Sequence, residues 1–332
     1  MQVRVGIAGA SGYAGMEATF LLARHPRVEL AFLGSESWAG STAGERLGLS
    51  GRASRLVYAE RSAWEAGLEC CDAVLLATFE DVSRPLAPVL ARRGTRVIDL
   101  SSAFRVPEED DVEAVYGLPE LFRARIPGSR LIANPGCYPT AILLALVPLL
   151  RSGLLEPEGL VVNAVSGVTG AGRRAEESYA FAELDDDVRA YGIFRHRHLP
   201  ELRRILSAAA GVPVDPVFTP TLLPIRRGIL ATIVGRLAPE ASAARIREAY
   251  LAAYADEPFV ELRPSPDEVS LRRVVGTNRV CIGFAVSGSH FLACAAIDNL
   301  IKGAAGQAVQ NLNLLFGWDE RLGLDDLRWF RP

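Results

Sequence analysis

Apolar residues in the first 135 positions fall into short strand-like runs separated by helix-period segments. The runs are Val3-Arg4-Val5-Gly6-Ile7-Ala8, Val28 to Leu33, Ala73 to Ala77, Arg96 to Leu100 and Leu131-Ile132-Ala133. Ala14 to Arg24 and Ser83 to Arg93 carry the helical pattern. This alternation predicts parallel strands joined by crossover helices, the doubly wound α/β arrangement. After a long apolar helix, Ala141 to Leu150, the rhythm changes. Leu160 to Val165, Asp215 to Pro220, Leu230 to Leu237, Arg279 to Ala285 and His290 to Ala296 predict longer strands, with helices at Leu199 to Ala209 and Ala241 to Tyr254. Runs of strands with segregated helices predict an α+β domain built on a mainly antiparallel sheet. A closing helix, Asp298 to Phe316, is expected to return to the first domain. The predicted domains are therefore 1–137 with 302–332, a dinucleotide-binding unit, and 138–301, a catalytic and dimerisation unit.

The most informative segment is Asn134-Pro135-Gly136-Cys137-Tyr138-Pro139-Thr140. It places one cysteine where a strand turns into the long apolar helix. Pro139 pre-sets a helical φ and lacks an amide hydrogen that the first turn does not use. Unpaired amides and the positive end of the helix dipole favour the thiolate, lowering a thiol pKa from about 8.5 toward neutrality. Upstream, Gly9-Ala10-Ser11-Gly12-Tyr13-Ala14-Gly15 follows the first strand and opens the first helix. Glycines there permit a tight turn and close backbone approach to a pyrophosphate. The second strand ends in Gly34-Ser35-Glu36-Ser37, where an acid suits the ribose hydroxyl of NAD and small hydroxyls suit the 2′-phosphate of NADP.

Composition narrows the partners. The chain has 332 residues, 49% hydrophobic and 23% charged, with net charge −3. That describes a globular chain of two domains and gives no reason to expect nucleic acid or an anionic membrane as partner. The N-terminus runs directly into a strand, and no apolar run is long enough to span a bilayer. Five scattered cysteines without a Cys-x-x-Cys pair argue against a disulfide framework or a zinc site and for a reducing cytoplasm. Of four histidines, His25 reads as a surface residue, whereas Arg195-His196-Arg197-His198-Leu199-Pro200-Glu201 offers a proton carrier for a thiolate, with Glu201 able to orient the ring. Arg105, Arg173 and Arg227 are candidate anion ligands. Arg173 closes Ser166-Gly167-Val168-Thr169-Gly170-Ala171-Gly172, a turn expected to present hydroxyls and exposed amides.

Together these segments resemble the N-acetyl-γ-glutamyl-phosphate reductase family, within the wider semialdehyde dehydrogenases. The resemblance continues through Gly276-Thr277-Asn278 and Asp298-Asn299-Leu300-Ile301-Lys302-Gly303-Ala304-Ala305-Gly306-Gln307-Ala308-Val309-Gln310-Asn311. It implies NADPH-dependent reduction of an acyl phosphate through a thioester on Cys137. His196 is then the general acid/base acting at the hemithioacetal oxygen, with Glu201 behind it and His198 as the alternative. It further implies that residues 9–15, Ser35, Ser37 and Asn311 meet NADP. Arg105, Asn134, Ser166, Gly167, Arg173, His198 and Arg227 would meet substrate, with no metal, in a cytoplasmic homodimer or homotetramer. Glu36, Thr221 and Phe79-Glu80 depart from the family pattern. The runner-up is the relative that reduces a carrier-bound aminoadipyl phosphate; Asn134-Pro135 and Tyr138-Pro139 argue against it. A non-catalytic nucleotide-binding paralogue is the alternative from another class.

Overall fold

The computed structural model describes residues 2–108, 112–173 and 177–325. Residues 326–332, the end of the predicted first domain, lie outside this range. The chain forms two compact units, one reaching Gly136 and taking up Ala304–Asp325, the other Cys137–Gly303.

The first unit holds seven strands: β1 (Val3–Ala8), β2 (Val28–Gly34), β3 (Tyr58–Ala59), β4 (Ala73–Leu76), β5 (Arg96–Asp99), β6 (Val115–Tyr116) and β7 (Leu131–Ala133). Their order is β3-β2-β1-β4-β5-β7-β6, and every pairing is parallel. Strands β4 and β7 are buried along their whole length, as expected when helices cover both faces of a sheet. The predicted long strands are all present. The two-residue strands β3 and β6 escaped the sequence reading because so short a run carries no periodicity.

His25 corrects an expectation. It is 3% exposed, not a surface residue. Its Nε2 lies 2.9 Å from Asn313 Oδ1, and its ring stacks on Trp318 at 5.5 Å. Asn313 comes from 288 residues further along the chain and Trp318 from beyond that, out of the reach of local pattern.

The second sheet contains β8 (Val161–Gly167), β9 (Arg189–Ala190), β10 (Val217–Leu223), β11 (Ile229–Arg236), β12 (Val260–Arg263), β13 (Val280–Ser287) and β14 (His290–Ile297). Its order is β12-β13-β14-β11-β8-β10-β9. The central pairings β13–β14, β14–β11 and β11–β8 are antiparallel, while β12–β13 and β8–β10 are parallel. The helix Cys137–Arg151 packs on one face, against β11 and β14. On the other face, ladder register aligns Ala285, Leu292, Val234, Val161 and Val217 in one row across five strands. In this row Val234 is 36% and Val217 42% exposed.

The helix Cys137–Arg151 is buried from Tyr138 through Leu150, so it has no solvent face. Such a helix belongs in a core. Pro148 sits in its interior and cannot donate to the Leu144 carbonyl one turn earlier. The Tyr254 hydroxyl donates to that carbonyl at 2.6 Å, and the Tyr250 hydroxyl donates to Ala145 at 2.6 Å. Helix Ala243–Tyr254 thereby repairs the break that proline makes.

The predicted terminal helix is corrected in its first turns. Residues Ile301–Ala305 are π-helical, and a regular α-helix runs only from Gly306 to Leu315. The Asp298 carboxylate takes the Leu300 and Ile301 amides, which sets the start of the wider turn.

Tyr254→Phe leaves a buried carbonyl without its donor and is expected to cost about 1–3 kcal/mol. This is read as a lowered urea midpoint; an unchanged midpoint would show that the carbonyl has another donor.

Candidate active site

Cys137 is the first residue of its helix and is half-buried. The π-helical turn packs directly on it. A Cβ added at Gly303 would lie 2.8 Å from Cys137 Cβ and 3.2 Å from Cys137 Cα. Only glycine allows this approach.

Around the next residue, Tyr138, a ring cluster forms. His196 meets Tyr138 at 5.4 Å, Tyr191 at 5.5 Å and Phe218 at 5.3 Å between centroids. His198 lies 4.8 Å from His196. The Tyr138 and Tyr191 hydroxyls are hydrogen-bonded at 3.0 Å, and Tyr138 also bonds Ser166. Burial pushes the Tyr191 phenol up to about 12, and negative charge on Cys137 works in the same direction. The Tyr138 phenol is raised as well, again mainly by burial, with Cys137 contributing. Sulfur and paired phenols therefore share one electrostatic environment, with the imidazole packed against both phenol rings.

His196 is pushed down to about 4, first by burial and then by the neighbouring Arg197 charge. Its Nδ1 accepts the backbone amide of His198 at 3.2 Å. An accepting Nδ1 leaves the ring proton of neutral imidazole on Nε2. The His196–His198 turn itself thus supplies a contact at Nδ1. Glu201 and His198 are both 2% exposed, at the start of helix Leu199–Ala210. Two residues before His196, Phe194 holds φ 59° with its ring 69% exposed. A bulky residue in this region is strained, and nearby surroundings must impose it.

The other predicted substrate residues in this unit divide. Ser166 is buried and donates to the Gly167 carbonyl at 2.9 Å. The expectation of exposed amides in the 166–172 turn is corrected: Gly167 N–H donates to Gly228, Val168 to Ile225 and Thr169 to Arg226. A second turn consumes these donors, which spacing alone does not reveal. Arg173 is exposed, and Arg227 lies 3.7 Å from the buried Asp298 carboxylate.

In the first unit, Gly9 adopts φ 75°, and a Cβ there would fall 2.3 Å from the Ala77 carbonyl. Gly12 precedes helix Tyr13–Ala23 as an N-cap without a side-chain cap bond. Its first amides, at Tyr13, Ala14 and Gly15, thus have the orientation an anion requires. Ser11, placed with Ala10 in this loop, accepts hydroxyl bonds from Ser35 at 2.7 Å and Ser37 at 3.1 Å. Glu36, between those two serines, is exposed. Asn311 donates to Gly117 at 2.8 Å and to Asn134 Oδ1 at 3.0 Å, while its own Oδ1 is buried without a hydrogen-bond partner. Arg105, 6% exposed, donates to the Asn134 carbonyl at 2.9 Å and to Leu100 at 2.7 Å. It braces the backbone three residues before Cys137, a structural duty added to its expected anion contact.

Among known proteins, the semialdehyde dehydrogenase NAD binding domain matches residues 4–129, and the semialdehyde dehydrogenase dimerisation domain matches 137–299. The chain is 42% identical to an N-acetyl-gamma-glutamyl-phosphate reductase from Symbiobacterium thermophilum, over 98% of each chain. It is 41% identical to the protein of that name from Gloeobacter violaceus, over 99% of each. The chain belongs to the N-acetyl-γ-glutamyl-phosphate reductase family. Aspartate semialdehyde dehydrogenase II from Vibrio cholerae shares the fold with TM-score 0.73 at 21% identity, covering 96% of this chain and 99% of its own. As a semialdehyde dehydrogenase, the chain is an oxidoreductase using a nicotinamide dinucleotide, and the uncapped helix start, Gly9 and the Asn311 acceptor fit that group. Among the described residues, no helix is long and apolar enough to cross a membrane, and no acid–histidine–cysteine cluster suits a metal. Residues missed by the sequence reading of this reductase fold are Tyr191, Phe218 and the Tyr138 hydroxyl; Tyr191, five positions before His196, offered the sole local hint.

The depressed His196 pKa has a sign. Between about pH 4 and its ordinary 6.5 the unfolded chain binds more protons there than the folded one, so stability falls as pH falls through that window. His25 is lowered too and adds to the same slope. His196→Asn is expected to flatten the decline of the urea midpoint between pH 7 and pH 4; an unchanged slope would contradict the neutral assignment.

Proposed function

We propose that the chain reduces N-acetyl-L-glutamyl 5-phosphate to N-acetyl-L-glutamate 5-semialdehyde and phosphate with NADPH, a step of arginine biosynthesis, in the cytoplasm. What carries this reading is Cys137 at the start of a fully buried helix, followed by Tyr138 whose ring packs on a neutral His196, in a chain 42% identical to a reductase of that name. The described cysteines are all free thiols, as a reducing compartment requires.

The Cys137 thiolate attacks the γ-carbonyl carbon, the C–O bond to phosphate breaks, and a thioester forms. Helix-start amides around Cys137 serve as oxyanion donors. When bound, NADPH supplies the hydride that reduces the thioester carbon. His196, neutral with its proton on Nε2, then donates a hydrogen bond to the tetrahedral oxygen. The C–S bond breaks as the carbonyl reforms, returning the thiolate. Neutral imidazole as an electrophile in a dry site is a known device. His196 suits the role better than His198 because it is half-buried while His198 is enclosed. Glu201 adds a buried carboxylate one turn along. Arg173 and Arg227 take the substrate anions, and Asn134, Ser166 and His198 are further candidates for substrate contact. The Ser11–Ser35–Ser37 hydroxyls support NADP over NAD, since small donors accommodate a 2′-phosphate.

The apolar row Ala285–Leu292–Val234–Val161–Val217 supports a homodimer formed by this sheet face on its own symmetry mate, since a self-complementary patch satisfies twofold symmetry. Val234→Lys is expected to move the sedimentation mass from dimer to monomer; an unchanged mass would exclude this face.

Assayed for phosphate-dependent oxidation of N-acetylglutamate semialdehyde with NADP, Cys137→Ser should lose turnover by roughly 10³-fold or more. Robust activity in the serine variant would remove the covalent route. Faster turnover of aspartate semialdehyde by the unaltered chain would remove the substrate assignment.

A further inference from the structure

Two sequence motifs, Gly276-Thr277-Asn278 and Asp298-Asn299, have no role in the chemistry above. The second unit brings them together. Asp298 is fully buried. Its Oδ1 accepts the Leu300 amide at 2.8 Å and the Ile301 amide at 3.0 Å. Its Oδ2 accepts the Gly276 amide at 2.9 Å and lies 3.7 Å from Arg227 Nη1. Asn299, 2% exposed, accepts the Gly228 amide at 2.8 Å through Oδ1 and donates through Nδ2 to Thr169 Oγ1 at 3.0 Å. The Thr169 hydroxyl in turn donates to the Arg226 carbonyl at 2.6 Å.

The Arg226–Gly228 turn is consequently held at three points. A carboxylate faces the Arg227 guanidinium, a carboxamide takes the following amide, and a threonine takes the preceding carbonyl. Asp298 also reaches the nucleophile from behind. The Asp298 carbonyl accepts the Gly303 amide at 2.9 Å, and Gly303 is the residue seated on Cys137. One dipeptide thus joins the 166–169 turn, the 226–228 turn, the 276 turn and the backing of the sulfur.

We propose that Asp298 and Asn299 are positioning residues that hold Arg227, the anion-binding group, braced by the Ser166–Thr169 turn, in register with Cys137. This rests on the reading of Arg227 as an anion ligand. Reacting groups must be placed to within a fraction of an ångström, and that precision comes from the partners behind them. An arginine whose charge is held by a buried carboxylate presents its remaining donors in a fixed fork. Asn299 fixes its backbone without adding charge.

The test uses the full-length chain with N-acetylglutamate semialdehyde, inorganic phosphate and NADP. Asn299→Ala is expected to raise the KM for phosphate or aldehyde about tenfold, the loss of one hydrogen-bonded anchor. The kcat and the KM for NADP should stay within about threefold. Asn299→Asp keeps the acceptor for Gly228 and loses the donor to Thr169, so it should recover most of the KM. Thr169→Val removes both the acceptor for Asn299 and the donor to the Arg226 carbonyl, so it should raise the same KM at least as much, and the double variant should be no worse than Thr169→Val alone. A fall in melting temperature with all KM values unchanged, or a loss confined to kcat, would overturn the proposal. If Asn299→Ala does not fold, additive KM effects of Asn299→Asp and Thr169→Val would overturn it equally. Protection by inorganic phosphate against thermal unfolding gives a readout independent of turnover. Loss of protection in Asn299→Ala with an inactive parent chain would sustain the positioning role while removing the reductase reading; equal protection in parent and variant would remove the positioning role.

Discussion

A helix buried on every side cannot rotate, slide or fray, and Cys137 is its first residue. That constraint governs the second unit. The apolar run from Tyr138 to Leu150 excludes water from the helix, so each backbone group on it must find a partner within the protein. Pro148 violates the pattern once, and the Tyr254 hydroxyl repairs it. The sulfur therefore sits on a rod fixed along its whole length, with the π-helical turn closing over its first residue.

Electrostatics follow from the same burial. Rings of Tyr138, Tyr191 and Phe218 exclude water from His196, which disfavours its cation and keeps the imidazole neutral. The phenol pair senses the Cys137 sulfur and resists ionisation.

Much of the fold could be read from the chain because its strands are long and its helices periodic. The parallel first sheet, the second sheet and the helices at Cys137, Leu199 and Ala243 all announce themselves by spacing. What escaped was set by distant partners. His25 looked like a loop residue until Asn313 and Trp318 closed on it. The 166–172 turn looked ready to bind an anion, yet its amides belong to the 225–228 turn. Tyr191 lies in a segment with no periodicity, and only the folded sheet places it against His196. Cys137, His196 and the glycine loop were legible because each sits where a regular element begins or where a charged turn stands out. Residues that hold others in place carry no such mark.

Gly303 has a consequence for how such a protein can diversify. With bare backbone against the carbon that bears the sulfur, one wall around the nucleophile admits no side chain at all. Drift toward a longer, shorter or differently charged acyl group must then be absorbed on the opposite side, in turns whose sequence is free to change. The wall behind the sulfur stays constant while the surroundings ahead of it vary, and a lineage that altered residue 303 would have to relocate its chemistry rather than retune it.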